Sequence, residues 1–210
     1  MATKWTAISV IETGSFGVNT VLLAFGEQAF LVDPGSEATR LRAYLKKKEL
    51  KLKAILLTHA HFDHIGAVPE LLAAYPGLKV YVDSKDAAII THPMNQYPPD
   101  YPPIADPFPN CVAPALLASE LPVSCKVIGT PGHTPGGVVY YFPDDELLLS
   151  GDTLFAGSFG RTDLPGGDFS TLMHSLAQLK ALPPSTRVIP GHGRETTIAD
   201  ELSSNWAFNN

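Results

Sequence analysis

Three imidazoles and a carboxylate, His59, His61, Asp63 and His64, fall within six positions of the stretch Thr58-His59-Ala60-His61-Phe62-Asp63-His64. Imidazole nitrogens and carboxylate oxygens are common ligands of divalent transition metals. His59 and His61 follow the apolar run Ala54 to Leu57. Residues two apart on extended backbone project to one side, so both rings can grip one ion. Asp63 and His64 come as the chain turns into the next helix. They point elsewhere, which suits a second ion beside the first. Unpaired buried imidazoles and carboxylates are costly, so this density of them marks a site rather than a core.

Three further metal-capable side chains repeat one design. His133 lies in Thr130-Pro131-Gly132-His133-Thr134-Pro135-Gly136, Asp152 in Ser150-Gly151-Asp152, and His192 in Pro190-Gly191-His192-Gly193. Each follows an apolar run and sits beside glycine, which permits a tight backbone turn. Strands of one core end along a common edge, and loops leaving that edge can converge on one site. The set as a whole points to a two-metal hydrolytic centre.

The elements that must carry these residues follow from patterning. Ala7 to Ile11, Asn19 to Phe25 and Ala29 to Val32 are short apolar or β-branched runs split by glycines, with a hairpin tip at Gly26-Glu27. Ser36 offers an N-cap to a helix through Leu41, Tyr44 and Leu45 into Lys46-Lys47-Lys48, a solvated terminus suited to the negative end of the helix dipole. A buried strand over Ala54 to Leu57 delivers the histidine motif. A helix through Ala67, Leu71, Leu72 and Tyr75 closes at Pro76-Gly77, and a strand over Lys79 to Val82 leads to a helical turn near Asp86 to Ile90. From Thr91 to Pro114 the chain is crowded with proline and has no period, which makes it an ordered lid or a passive insertion. Strands resume at Cys125 to Ile128, Val138 to Phe142 and Glu146 to Ser150. A helix from Ser170 to Leu182 carries Leu172, Leu176 and Leu179 on one face, and Val188-Ile189 is a short last strand. This order predicts one α/β domain over residues 1–210, two sheets with helices packed outside them in four layers.

Composition sets the outer bounds. With 210 residues, 45% of them hydrophobic and 17% charged, the chain is of a globular type. A net charge of −6 argues against a nucleic-acid partner, which needs a basic face. Two cysteines, Cys111 and Cys125, make no disulfide framework and are expected as buried thiols. Met1-Ala2-Thr3-Lys4-Trp5 lacks the charged-then-apolar pattern of a signal peptide, and no stretch approaches the roughly 20 apolar residues of a membrane span. The expectation is a soluble cytoplasmic protein with no membrane partner; nothing in the sequence fixes its oligomeric state.

The ligand set resembles the metallo-β-lactamase-fold hydrolases. Gly151-Asp152-Thr153-Leu154-Phe155 followed by Gly160-Arg161-Thr162-Asp163 is similar to the short, single-domain glyoxalase II-like branch. The resemblance implies an αββα sandwich. It implies His59, His61 and His133 on one metal, Asp63, His64 and His192 on the other, and Asp152 bridging both. It further implies hydrolysis of a small acyl thioester such as S-lactoylglutathione through a metal-bridging hydroxide, with Asp63 as the catalytic carboxylate that orients it. Imidazole with carboxylate suits two zinc ions, and iron or manganese are alternatives. Two divalent ions, less two carboxylates and a hydroxide, leave a charge of about +1, which favours an anionic or strongly polar substrate. A thiol has a pKa of about 8.5, so a thiolate can depart without a dedicated acid.

Several assignments stay open at this level. Arg161 either pairs with a substrate carboxylate or forms a surface ion pair with Asp163 or Asp168. Asp33 either supports a ligand histidine from behind or serves the turn Asp33-Pro34-Gly35. His92 and His174 lie outside the constellation. Full-length glyoxalase II enzymes have a C-terminal helical domain that helps hold glutathione. This chain ends about eighteen residues past His192 and carries Arg194 where an aromatic contact to the thiol is expected. The same fold also accommodates a persulfide dioxygenase with a single iron on His59, His133 and Asp152, and a lactonase or β-lactamase.

Overall fold

The computed structural model describes residues 3–209; Met1, Ala2 and Asn210, which the leader and single-domain expectations include, lie outside the described residues. The first half of the chain builds a mixed six-stranded sheet in the order β1 (Ala7–Thr13), β2 (Val18–Phe25), β3 (Gln28–Val32), β4 (Lys51–Leu56), β5 (Lys79–Tyr81) and β6 (Cys111–Val112). The first three strands pair antiparallel through tight turns. From β3 onward the pairing is parallel, because helices now intervene. These are α1 (Ala38–Lys47), α2 (Phe62–Ile65), α3 (Val68–Ala74) and α4 (Ser84–Ala87).

The second half builds a mixed five-stranded sheet in the order β13-β12-β9-β8-β7. Its strands are β7 (Lys126–Gly129), β8 (Val138–Phe142), β9 (Leu147–Gly151), β12 (Arg187–Pro190) and β13 (Thr196–Thr197). A two-stranded ribbon, β10 (Leu154–Phe155) with β11 (Ser158–Phe159), follows β9. The helix α5 (Phe169–Leu179) makes the crossover from β9 to its parallel neighbour β12. Two short helices, α6 (Ile198–Ser204) and α7 (Trp206–Asn209), close the chain.

Strand alternation sorts the core into three layers of contact. On β2 and β3, Leu22, Ala24, Ala29 and Leu31 face outward onto Leu41 and Leu45 of α1 and Val68 and Leu71 of α3. Their alternates Val21, Leu23, Phe30 and Val32 face the other sheet, meeting Val138, Tyr140, Phe142, Leu147 and Leu149. Val139, Tyr141 and Leu148 turn away from that interface onto Leu172, Leu176 and Leu179 of α5 and Phe208 of α7. At about 1.5–3 kcal/mol per fully buried large side chain, the inter-sheet layer alone clamps the two halves firmly. The result is the expected αββα sandwich.

Local details correct the sequence reading in several places. The N-cap of α1 is Glu37, in the left-handed region at φ 60°, and not Ser36; no side chain caps that end. The helix read as Ser170 to Leu182 starts at Phe169 because Asp168 caps it, accepting the Thr171 N–H at 2.7 Å, and it stops at Leu179. Val188-Ile189 is not the last strand: β13 turns back on β12 antiparallel. The proline-rich stretch is not wholly irregular, since Cys111–Val112 forms the edge strand β6. Cys111 is exposed and Cys125 half-buried, and both are free thiols. Burial pushes the Cys125 thiol up to about 12. Among the described residues no helix is long and apolar enough to cross a membrane.

Candidate metal centre

Every candidate ligand lies past the C-terminal end of a strand. His59 and His61 leave β4, and His61 is the N-cap of the single turn α2, which carries Asp63 and His64. His133 follows β7, Asp152 follows β9 and His192 follows β12. Both sheets therefore deliver their loops to one edge. The Val138 N–H reaches across to the Thr58 carbonyl at 2.8 Å and ties the two halves together there. Gly151 is in the left-handed region at φ 49°, and a Cβ on it would overlap the Thr58 side chain. A Cβ on Gly191 would overlap Asp152 Oδ1. The centre can close only because these two positions lack side chains.

The seven side chains gather into two adjoining groups. His59, His61 and His133 bring one nitrogen each within 4.8 Å of one another, and Asp63, His64 and His192 do the same with two nitrogens and a carboxylate oxygen. In the first group His61 Nδ1 and His133 Nε2 approach to 2.9 Å. In the second, His192 Nε2 lies 3.3 Å from both His64 Nε2 and Asp63 Oδ2. Asp152 spans the two: its Oδ2 is 3.6 Å from His133 Nε2 and 3.6 Å from His192 Nε2, and its Oδ1 is 3.3 Å from His64 Nε2. Metal–ligand bonds of about 2.0–2.1 Å in tetrahedral geometry place ligand atoms roughly 3.3 Å apart. The 3.3 Å separations of His192 Nε2 from His64 Nε2 and Asp63 Oδ2, and of His64 Nε2 from Asp152 Oδ1, match that spacing.

Second atoms on the rings are already committed, which fixes the free nitrogen of each. His133 Nδ1 donates to the Arg161 carbonyl at 2.7 Å, His192 Nδ1 to the Phe16 carbonyl at 3.0 Å, and His64 Nδ1 to Asp33 Oδ2 at 3.0 Å. The Thr58 hydroxyl donates to Asp33 Oδ2 at 2.5 Å and accepts from His59 Nδ1 at 3.1 Å. Each of these four rings therefore turns Nε2 inward, towards the centre. His59 Nε2 and Asp152 Oδ1 are buried and make no hydrogen bond. Buried bare acceptors facing one another are costly, and cations among them resolve the cost. The residues present thus fit two divalent metal ions. Asp33 also falls within reach of His59 and His64. Its oxygens, however, are taken by the Thr58 N–H at 2.7 Å, the Thr58 hydroxyl and His64, so it supports the ligands from behind.

Electrostatics prepares the donors. Burial, followed by the charge of His133, holds His61 down at about 4, and burial holds His59 well below its ordinary range. Both are neutral at physiological pH, the form that ligates metal. Burial tends to raise the Asp152 and Asp63 carboxyls, but His64 foremost among the neighbouring imidazoles outweighs it and keeps both ionised. Burial works to lower His64 and His192, and the facing carboxylates, Asp152 foremost for His64 and Asp63 for His192, raise both instead.

Three supporting residues escape a reading of the sequence. Asn19 on β2 donates to the carbonyls of Pro190 at 3.0 Å and Gly193 at 2.9 Å, bracketing His192. Asp86 accepts the Ala60 N–H at 2.9 Å and the Gly136 N–H at 2.6 Å, stitching the loop of His59 to that of His133. Asn95, from the proline-rich stretch, accepts the Phe62 N–H at 2.8 Å and donates to the Ala60 carbonyl at 2.8 Å. That stretch is further tied down by aromatic contacts of Tyr97 and Tyr101 with Phe16 and Phe62, at centroid separations of 5.0–5.9 Å. Arg161 lends the centre its carbonyl, while its exposed guanidinium makes two 2.7 Å bonds to Asp163. His92 and His174 lie outside both groups.

Comparison with known proteins agrees with this geometry. The family model described as the metallo-beta-lactamase superfamily matches residues 13–192. The probable metallo-hydrolase YqgX of Bacillus subtilis is 37% identical, over 98% of this chain and 98% of its own length. The hydroxyacylglutathione hydrolase GloC of Haemophilus influenzae is 33% identical, over 96% of this chain and 98% of its own. The crystal structure of TTHA1623 in a di-iron-bound form superposes with a TM-score of 0.78 at 38% identity, covering 94% of this chain and 98% of that one. Matched on motif, fold and full length, the chain belongs to the metallo-β-lactamase superfamily.

Proposed function

We propose that the protein is a dinuclear metal-dependent hydrolase that cleaves small acyl thioesters. The observation that carries this reading is the position of Asp152, whose carboxylate adjoins both ligand groups. A single-metal enzyme needs only one of them. The complete second group, Asp63, His64 and His192, favours hydrolysis over the single-iron dioxygenase alternative. The hydroxyacylglutathione hydrolase named among the relatives supports the thioester class.

Two divalent ions bound here would supply Lewis acidity towards an acyl oxygen and a water ionised near neutral pH. The side chains do the rest. His59, His61 and His133 would hold one ion and Asp63, His64 and His192 the other, with the Asp152 carboxylate shared between the two groups. Asp63, held ionised 3.3 Å from His192 Nε2, is placed to orient the attacking water, whose proton passes to solvent. Water oxygen bonds to the carbonyl carbon as the C–S bond breaks, and the sulfur leaves as thiolate. With a thiol pKa of about 8.5 that departure needs no general acid. None is free in the centre, whose imidazoles are all placed to ligate. Zinc suits this donor set, and iron and manganese share it.

Removing metal with a chelator, dialysing and restoring one metal at a time tests the proposal against S-lactoylglutathione and simpler acyl thioesters. Turnover that disappears with the metal and returns with a second equivalent is expected. Thioester turnover that survives complete chelation sinks the reading. A lactone and a chromogenic cephalosporin in the same panel separate the lactonase and β-lactamase alternatives.

A further inference from the structure

A cleft of about 270 Å³ opens directly beside the ligand His61. Its walls are Phe62, Ile89, Met94, Pro135, Leu164 and Pro165, and no lysine or arginine lines it. Two polar residues also reach it. The amide of Asn95 is consumed by backbone groups of Phe62, Ala60 and Ile89. His92 accepts the Met94 N–H on Nδ1 at 3.2 Å, which leaves Nε2 as its one other polar atom. The guanidinium of Arg161 is turned to Asp163. The cleft is slightly smaller than the ~300–1,000 Å³ of sites that take drug-sized ligands, the right scale for one arm of a substrate.

We infer that this cleft is the subsite for an uncharged, apolar arm of the thioester, and that the protein selects such arms over the carboxylated arms of glutathione. The inference rests on the thioester reading above. A carboxylate entering this cleft would lose its hydration against apolar walls and find no lysine or arginine to pair with. An alkyl or aryl arm would exchange water for the side chains of Ile89, Met94 and Leu164. Each methylene buried there should raise kcat/KM about fourfold until the cleft is filled.

Two thioester series test this on the metal-loaded enzyme. One lengthens the acyl chain on a fixed uncharged thiol, and the other lengthens an alkyl thiol on a fixed acetyl group. The expected result is a climb of about fourfold per methylene over several steps in one series, which also identifies the arm, and a reversal of at least tenfold when that arm ends in a carboxylate. Leu164→Asp should flatten the climb while metal content and Tm hold. Flat profiles in both series, a preference for carboxylated arms or S-lactoylglutathione, or an unaltered climb in Leu164→Asp overturns the inference.

If no thioester is turned over in a chelator-sensitive way, the functional reading has failed and the cleft is judged separately. The chain has three methionines, so a ¹³C-methyl spectrum is sparse. Titration with 1-hexanol should shift the Met94 methyl and leave Met173 in place, while hexanoate at the same concentration shifts neither. An immobile Met94 signal, or an equal response to hexanoate, overturns the inference.

Discussion

His64 donates from Nδ1 to Asp33 Oδ2 at 3.0 Å, and both side chains are almost wholly withdrawn from solvent. The same Asp33 oxygen accepts the Thr58 hydroxyl, which in turn accepts from His59 Nδ1. One carboxylate thus sets the ring orientation of a ligand in each group, directly for His64 and through Thr58 for His59. Partners of this kind fix the tautomer and raise ligand basicity.

Asp33→Asn keeps the shape and removes the charge. It should weaken metal binding about 10–100-fold, with the larger loss at the group containing His64. Competition with a metal-sensitive chelating dye measures this for each equivalent. Unchanged affinity at both would remove Asp33 from the centre.

The opposite shifts of the histidines order the loss of metal on acidification. His61 stands at about 4, and His59 is also depressed, so protons compete weakly for the first group. His64 and His192 are raised by Asp152 and Asp63 against the effect of burial, so a metal there must displace protons. A raised pKa favours the protonated form as pH falls, and the group of Asp63, His64 and His192 should empty first. Metal content followed by dialysis between pH 7.5 and 5 should fall from two to one before reaching zero. Simultaneous loss, or retention at the second group alone, contradicts this order.

Support from the inter-sheet core is also measurable. Tyr140 is fully buried, and its hydroxyl donates to the Leu57 carbonyl at 2.8 Å, two residues before His59. Tyr140→Phe should reduce unfolding stability by about 1–3 kcal/mol. Denaturant midpoints at unchanged m-value check it, and a loss below about 0.5 kcal/mol would show that the hydroxyl is dispensable.

The candidate ligands are legible in the sequence as a cluster because their signal is local: four donors follow one strand, and each distant donor sits beside a glycine after another. The order of elements likewise carried the sandwich: strands, then αβ units, then strands and αβ units again, call for two sheets with helices outside them. The supports were not legible, because Asn19, Asp86 and Asn95 act on backbone groups of loops far away in the chain. An isolated Asn or Asp on a strand or turn carries no mark of such a partner. Ser36 is a good cap for α1 by type, whereas the chain turns at Glu37 in a left-handed conformation that residue type does not signal. Arg161 stands out in the sequence for its charge, yet what it lends His133 is its carbonyl.

Metal stoichiometry tests the central claim most directly. Elemental analysis of the loaded protein should give two divalent ions per chain, and His192→Ala should hold one and lose thioester hydrolysis. A single iron per chain in the unaltered protein, with oxygen consumed in the presence of a glutathione persulfide, would contradict the two-metal account.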